Sequence, residues 1–286
     1  MKQKTKEKGM EILFFIAAIT SILAVFLICL FLFANGLPAI GKIGVFNFLL
    51  GENWSPSDIP PSFGILPMIL GSIYITAGAI LFGVPIGLLT AVFMAFYCPK
   101  KLYIYLKPIV ELLAGIPSVV YGFFGLVVLV PMTRQLFTGN GSSILTASLL
   151  LGIMILPTII GISEAAMKAV PLHYYEGALA LGATHERSIF TAVLPAAKSG
   201  ILAAVVLGIR RAVGETMAVI MVAGNQASMP DDIFKGVRTL TANIVIEMGY
   251  AADLHREALI ATGVVLFVFI LLINMSFALL KRRSHI

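Results

Sequence analysis

Two arginines and one glutamate lie near the middle of a long apolar run. Arg210, Arg211 and Glu215 fall within residues 196–223. A charge at the centre of a membrane helix costs about 2.5–3.5 kcal/mol, whereas an aliphatic residue returns only about 0.3–0.6 kcal/mol. We therefore expect the three charges to face the protein interior or a wet cavity. Because the planar fork of arginine matches phosphate-like oxyanions, the chemistry they indicate is anion coordination.

The spacing of these charges predicts how they pair on a continuous helix. Arg211 and Glu215 are four residues apart and lie about 40° from each other around the helix, close enough for an ion pair. Arg210 lies about 140° from Glu215, so its partner must come from another helix, from a sister subunit or from an anionic substrate. We expect both arginines to favour anion passage and Glu215 to orient one guanidinium. The alternative is an ion-pair network that only fixes helix packing.

The composition indicates a membrane protein. Of the 286 residues, 59% are hydrophobic and only 12% are charged, whereas soluble domains carry roughly 25% charged residues. The mean hydropathy of +1.00 agrees. A water-soluble enzyme is thereby excluded. At about 20 residues per crossing, this length accommodates about six spans and no large domain outside the bilayer.

Six apolar runs are long enough to cross a bilayer, at approximately 12–34, 65–97, 109–130, 144–166, 196–223 and 258–280. Cytoplasmic loops are expected to be the basic ones. With the N-terminus inside, 13 of the 20 Lys and Arg residues fall in inner segments, 5 fall in outer segments, and the other two are Arg210 and Arg211. This predicts an all-α membrane protein with six transmembrane helices and both termini cytoplasmic. The net charge of +6 then reflects topology and gives no reason to expect nucleic-acid binding.

Two other features have open interpretations. The longest outer loops, approximately 35–64 and 224–257, contain Trp54 and the acidic pair Asp231 and Asp232. They form either a platform for a partner or solvated connectors with Trp54 at the lipid interface. Pro117 and Ser118 interrupt the third run, where the freed backbone and the hydroxyl line the substrate path or mark a plain kink.

The long inner connection, 167–195, contains a short predicted helix. Pro171 can begin a helix, and the helix-forming run 176–181 is followed by Gly182, a natural stop signal. Such a helix is either a docking element for a cytosolic partner or an interfacial helix lying on lipid.

This connection resembles the EAA loop of ABC importer permeases, whose pattern is E-A-A, three residues, G, nine residues, then I-x-L-P. The matching positions are Glu176, Ala178, Gly182, Leu194 and Pro195, while Gly177 and Ala192 replace an Ala and an Ile of the pattern. Further segments resemble phosphate ABC transporter permeases of the PstC type: FGILPMILGSIYIT (63–76), ELLAGIPSVVYGFFGL (111–126), ILPTIIGISEAA (155–166) and RRAVGETMAVIMVAGN (210–225).

The resemblance implies a type I ABC importer permease in the cytoplasmic membrane of a prokaryote. Residues 1–62 would be the N-terminal tail, first helix and external loop, and residues 63–286 the permease core. The implied partners are a second, distinct permease, two cytoplasmic ATPases and an external phosphate-binding protein. The ATPases would contact Glu176, Gly177, Ala178, Gly182, Leu194 and Pro195, and the substrate path would include Arg210, Arg211, Glu215 and Ser118.

Other functions have weaker support in the sequence. No nucleotide-binding G-x-x-x-x-G-K-[ST] motif occurs, so the chain is not expected to be its own ATPase. All four histidines are predicted in loops or the tail, which leaves no ligands for an intramembrane metal or proton relay and implies no cofactor. An ion-driven anion carrier and an intramembrane enzyme stay as alternatives. Among importers, sulfate and molybdate suit paired arginines as well as phosphate does.

Overall fold

The computed structural model describes residues 2–137 and 139–283, which are predominantly helical. The elements are α1 (Lys2–Ile43), α2 (Val45–Leu50), β1 (Trp54–Ser55), β2 (Ser62–Phe63), α3 (Leu66–Val92), α4 (Lys100–Gly115), α5 (Ser118–Phe124), α6 (Val130–Leu136), α7 (Ile144–Lys168), α8 (Leu172–Ala180), α9 (His185–Ser188), α10 (Leu194–Ala196), α11 (Lys198–Gly214), α12 (Met217–Val222), α13 (Leu240–Glu247) and α14 (Asp253–Arg283). Single π-helical turns lie at Phe93–Tyr97, Gly125–Leu129 and Ile189–Val193. The predicted all-α class is confirmed, apart from the short antiparallel pair β1–β2.

Among the described residues, five helical segments are long and apolar enough to cross a membrane, and a sixth crossing is formed if one bent helix pair counts as a single span. The bent pair, His185–Ala196 with Lys198–Gly214, turns by 71°. The predicted third span, 109–130, was placed too early. Pro117 ends the amphipathic helix α4, and the apolar crossing is Ser118–Leu136.

Helices α3 and α7 form the centre of the bundle. Glycines on α3 let the two backbones approach closely: a Cβ on Gly78 would collide with Ser148, and one on Gly83 would lie 2.8 Å from Ile155 Cδ1. Apolar faces directed away from this contact remain exposed, as at Ile22 of α1 and Leu89 of α3. Exposed apolar surface of this extent is typical of a protein that contacts lipid or other subunits.

The bundle has two distinct ends. At one end, which we call the platform end, α2, β1, β2 and α13 pack on the last turns of α1 and the first turns of α3 and α14. At the other end, which we call the EAA end, segment 169–197 packs against the last turns of α3 and α7. Because α1 ends and α14 begins at the platform end, the start of α1 and the end of α14 lie away from that end.

The platform end corrects two expectations. Trp54 is buried rather than at a lipid interface, and its Nε1 donates a hydrogen bond of 2.8 Å to Glu247 Oε2. Glu247 is also buried and pairs with Arg238 and, at 2.8 Å, with Nε2 of His255. His255, expected in a loop, belongs to the first turn of α14. The two predicted outer loops are therefore joined by one buried polar cluster.

Candidate functional site

The fifth span is not a continuous helix at the predicted charge cluster. Helix α11 ends at Gly214, and Glu215 has an extended backbone with φ −71° and ψ 131°. The predicted Arg211–Glu215 ion pair is wrong, because the two residues no longer follow one helical course and no salt bridge joins them in the described part of the chain. Glu215 Oε1 instead accepts a hydrogen bond of 3.1 Å from the backbone N–H of Ala218, which satisfies a free donor at the start of α12.

The neighbouring arginines contact different helices. Arg211, in the last turn of α11, is half-buried, and its Nη1 lies 3.5 Å from Thr158 Oγ1 on α7. Arg210 is exposed, and its Nε donates a hydrogen bond of 2.5 Å to Asn274 Oδ1 on α14. Of the three partners expected for Arg210, the structure shows one from another helix, the neutral amide of Asn274.

The break at Glu215 lies beside a second break in the backbone. Ile116 and Pro117 are extended, with ψ 127° and 141°, and α5 begins at Ser118. Helices α5 and α12 then pack in parallel, so closely that a Cβ on Gly122 would lie 2.9 Å from Ala218 Cα. Since each break precedes this contact by about one helical turn, Ser118 and Glu215 are brought to the same level of the bundle.

Each of the two breaks is bridged by a side-chain hydroxyl, from α5 itself at the first and from α13 at the second. The hydroxyl of Tyr121 donates to the carbonyl of Leu113 at 2.8 Å, across the first break. The hydroxyl of Thr241 donates to the carbonyl of Glu215 at 3.1 Å, at the second. Non-helical backbone at membrane depth is tolerated where it is buried in protein or lines a wet cavity. The arrangement offers one half-buried guanidinium, side-chain hydroxyls and non-helical backbone, which are groups that coordinate an oxyanion.

The predicted docking helix is confirmed as a structural element. Helix α8 follows Pro171 and contains Glu176, Gly177 and Ala178, none of them buried. Gly182 has φ +84°, the left-handed conformation that favours glycine and ends the helical segment. Leucine 181, just before it, is 91% exposed. The helix therefore has an exposed surface that is both polar and apolar.

The rest of the EAA segment supports α8 from beneath. The Tyr175 hydroxyl and His185 Nδ1 are 2.7 Å apart, so the half-buried His185 is held within the segment. Tyr97, at the end of the π-helical turn after α3, packs its ring edge-on against His185 at 5.1 Å. Leu194 and Pro195 lie in the short helix α10, just ahead of the 71° bend into α11. A displacement of α8 can therefore reach α11 through directly packed residues.

Sequence reasoning noticed only part of a buried cluster at the EAA end. The spacing of Glu164 and Lys168, four residues apart with the glutamate first, predicts an ion pair on one helix, which is confirmed at 2.7 Å. It did not predict that Lys107 and Tyr103 of α4 bond to the same carboxylate, at 2.8 Å and 2.6 Å. The one available signal was the acidic residue itself, since a glutamate in an apolar run needs partners.

The geometry defines a helical membrane protein with broken spans beside a half-buried arginine and a free helix at one end. A family model described as "Binding-protein-dependent transport system inner membrane component" matches residues 83–286. The chain belongs to this family.

Curated relatives cover most of the chain. The "Probable ABC transporter permease protein YqgH" of Bacillus subtilis (strain 168) is 42% identical over 266 residues, covering 90% of this chain and 86% of the relative. The "Phosphate transport system permease protein PstC" of Mesorhizobium japonicum is 37% identical over 263 residues, covering 85% of this chain and 80% of the relative. The resemblance to PstC-type permeases is thus confirmed.

Solved structures agree on the fold. A chain of a bacterial alginate ABC transporter, in complex with an alginate-bound periplasmic protein, matches with a TM-score of 0.66 and 19% identity, covering 93% of each chain. A chain of the MetNI methionine ABC transporter matches with a TM-score of 0.60 and 23% identity, covering 77% of this chain and 95% of that chain. The protein therefore has the fold of ABC importer permeases.

Proposed function

We propose that this chain is the permease subunit of an ATP-driven importer that moves inorganic phosphate across the cytoplasmic membrane of a prokaryote. The observation that carries the proposal is that one chain contains both an exposed helix α8, with the EAA residues, and a half-buried Arg211 near the breaks in the spans. The family membership and the names of its PstC relatives supply the substrate. The chain performs no catalysis, and partner chains hydrolyse the ATP.

The proposed assembly contains this chain, a second and distinct permease, two ATPases and an external phosphate-binding protein. The ATPases bind the EAA end, so that end and both termini face the cytoplasm. The binding protein meets the platform end, where a buried cluster joins the loops into one surface. The orientation is supported by the Lys and Arg residues, because 13 of the 20 fall in the segments that it places on the cytoplasmic side.

In the proposed mechanism, ATPase closure displaces α8 and rocks the bundle. The breaks beside Ser118 and Glu215 let half-helices α5 and α12 move relative to α4 and α11. Arg211 then faces each side in turn, with Arg210 adding positive charge nearby. Because a partner shifts an equilibrium only by its differential affinity, the ATPases must bind the two states unequally.

Uptake by vesicles tests the substrate. Vesicles that contain this chain with its permease, ATPase and binding-protein partners are expected to accumulate labelled phosphate when ATP is supplied, and excess sulfate or molybdate is expected not to compete. Competition by either anion would assign the importer to that oxyanion instead. Accumulation by the chain alone, driven by an ion gradient, would indicate a secondary carrier.

Charge reversal of Glu176 tests the docking role of α8. Glu176→Lys is expected to lower ATP-dependent uptake at least about tenfold, the effect of about 1.4 kcal/mol lost at the ATPase interface. Membrane insertion should be unchanged, because Glu176 is exposed and pairs with no side chain among the described residues.

Glu186→Lys is the matched control for that variant. Glu186 is also exposed and lies in the same segment, but at one of the nine positions where the EAA pattern specifies no residue. Normal uptake by the Glu176 variant, or equal loss in both variants, would contradict a specific role for α8.

A further inference from the structure

Glu164 lies at the centre of a buried cluster of charged and polar side chains, which has no role in the mechanism proposed above. Its side chain is only 2% exposed, although it carries a formal charge on an apolar helix. Its carboxylate accepts hydrogen bonds from Tyr103 Oη at 2.6 Å, Lys107 Nζ at 2.8 Å and Lys168 Nζ at 2.7 Å. Lys168 Nζ also lies 4.0 Å from the centre of the Tyr103 ring. We call these four residues the Glu164 clamp.

The clamp joins two helices that lead to different parts of the molecule. Glu164 and Lys168 lie in the last turns of α7. Lys168 is the last residue of that helix, and the EAA helix α8 begins four residues later. Tyr103 and Lys107 lie on α4, which runs on to Gly115 and ends at the break before Ser118. The clamp thus stands between the surface where the ATPase is proposed to bind and one of the two breaks.

Beside the clamp, α4 and α7 meet through an apolar cluster. Val110 of α4 packs with Met94 and Ile160, and Tyr103, Leu106 and Leu156 border this small cluster. The opposite face of α4 is exposed, including Ile104 and Leu112. Among the described residues, the clamp supplies the hydrogen bonds between α4 and α7, and these directional bonds fix the position of one helix along the other.

Two lysines bound to one buried carboxylate contribute little net stability to helix packing. Desolvation offsets much of the attraction within a buried ion pair, and apolar residues of similar volume often stabilise a structure as well or better. Directional, charged bonds do hold two helices in one register. Lys107 stays charged at neutral pH, because its hydrogen bond to Glu164 raises the pKa of its ammonium group above the ordinary value.

We propose that Glu164 is a positioning residue that makes α4 move together with the end of α7, so that displacement of α8 reaches the break before Ser118. This inference rests on the proposed ATP-driven function. It assigns the transmission step to the two hydrogen bonds that join α4 to Glu164, those of Tyr103 and Lys107.

The clamp contains its own matched pair of variants. Lys107→Met removes the charged bond between α4 and α7 but leaves Glu164 paired with Lys168. Lys168→Met removes a lysine from the same carboxylate but leaves both α4 hydrogen bonds in place. A merely structural clamp would make the two variants similar.

The first measurement is phosphate uptake per ATP hydrolysed by the complete importer in vesicles. Lys107→Met is expected to lower this ratio by about fivefold or more, the lower range of coupling between sites, while ATP hydrolysis continues. Lys168→Met should leave the ratio unchanged, and Lys107→Arg should restore it because it keeps a cation that can reach Glu164. An unchanged ratio in Lys107→Met, or equal losses in both methionine variants, would overturn the inference.

The second measurement does not depend on the transported anion. Spin labels at Ile104 on α4 and Ala165 on α7, both exposed, report the separation of the helices in the complete importer with and without ATP. The separation should stay constant when the clamp is intact and change on ATP binding in Lys107→Met. A constant separation in that variant would overturn the inference. If the labels behave as expected but phosphate is not taken up, the proposed substrate fails and the clamp stands.

Discussion

Replacement of Arg211 by glutamine is expected to lower phosphate uptake by roughly 10- to 150-fold. A hydrogen bond to a charged group contributes about 1.5–3 kcal/mol, and the variant loses both the charge and the planar fork. Arg211 is the half-buried arginine of the pair, and its guanidinium extends toward Thr158 at the level where both spans break. Uptake of labelled phosphate into vesicles, normalised to the amount of assembled importer, measures the loss.

Arg210→Gln is the matched control, since it removes the same group one residue earlier. Arg210 is exposed and bonds to Asn274 on α14, so the expected loss is smaller, although its positive charge still favours an anion nearby. Arg211→Lys should recover only part of the uptake, because lysine keeps the charge without the paired donors. Uptake at the wild-type rate by Arg211→Gln would remove Arg211 from the substrate path.

Replacement of Glu247 by alanine is expected to cost about 3–5 kcal/mol of stability, the range for a buried ion pair that loses one partner. Glu247 is the acceptor for Trp54, Arg238 and His255, which come from three separate parts of the platform end. The variant would leave Arg238, whose side chain is only 15% exposed, without its carboxylate. Thermal unfolding in detergent should show a midpoint lower by roughly 10 °C.

Glu257→Ala provides the control at the same end of the molecule. Glu257 pairs with Lys42 at 2.7 Å, but both side chains are substantially exposed. Exposed pairs contribute about 0–1 kcal/mol, so the midpoint should hardly change. Similar midpoints for the two alanine variants would show that the platform end does not depend on the buried cluster.

The break at Glu215 is held by a small number of hydrogen bonds, so it is a place where the fifth span can bend. A continuous helix through Arg211 and Glu215 would be stiff at the level where the substrate is proposed to pass. In the structure, Glu215 bonds to the start of α12 and Thr241 bonds to the backbone of Glu215. These few directional contacts hold the break in place, and they can exchange more readily than a packed apolar core.

Features that depend on composition or on neighbouring residues were predictable from the sequence. The membrane class followed from the apolar fraction. The helix after Pro171 and the stop at Gly182 followed from local backbone preferences. The Glu164–Lys168 pair followed from helical spacing within one element. Each of these depends on interactions within a few residues, which a linear pattern contains.

The tertiary structure decided the features that join distant segments. No proline beside Glu215 indicates a helix break in the sequence. The extended backbone of Glu215 is held by Thr241, which lies 26 positions away. Trp54 is buried because its bonding partner, Glu247, lies 193 positions away. Tyr103 and Lys107 reach Glu164 across 61 and 57 positions. Partners so far apart leave no periodic trace in a sequence, because only the packing of the helices brings them together.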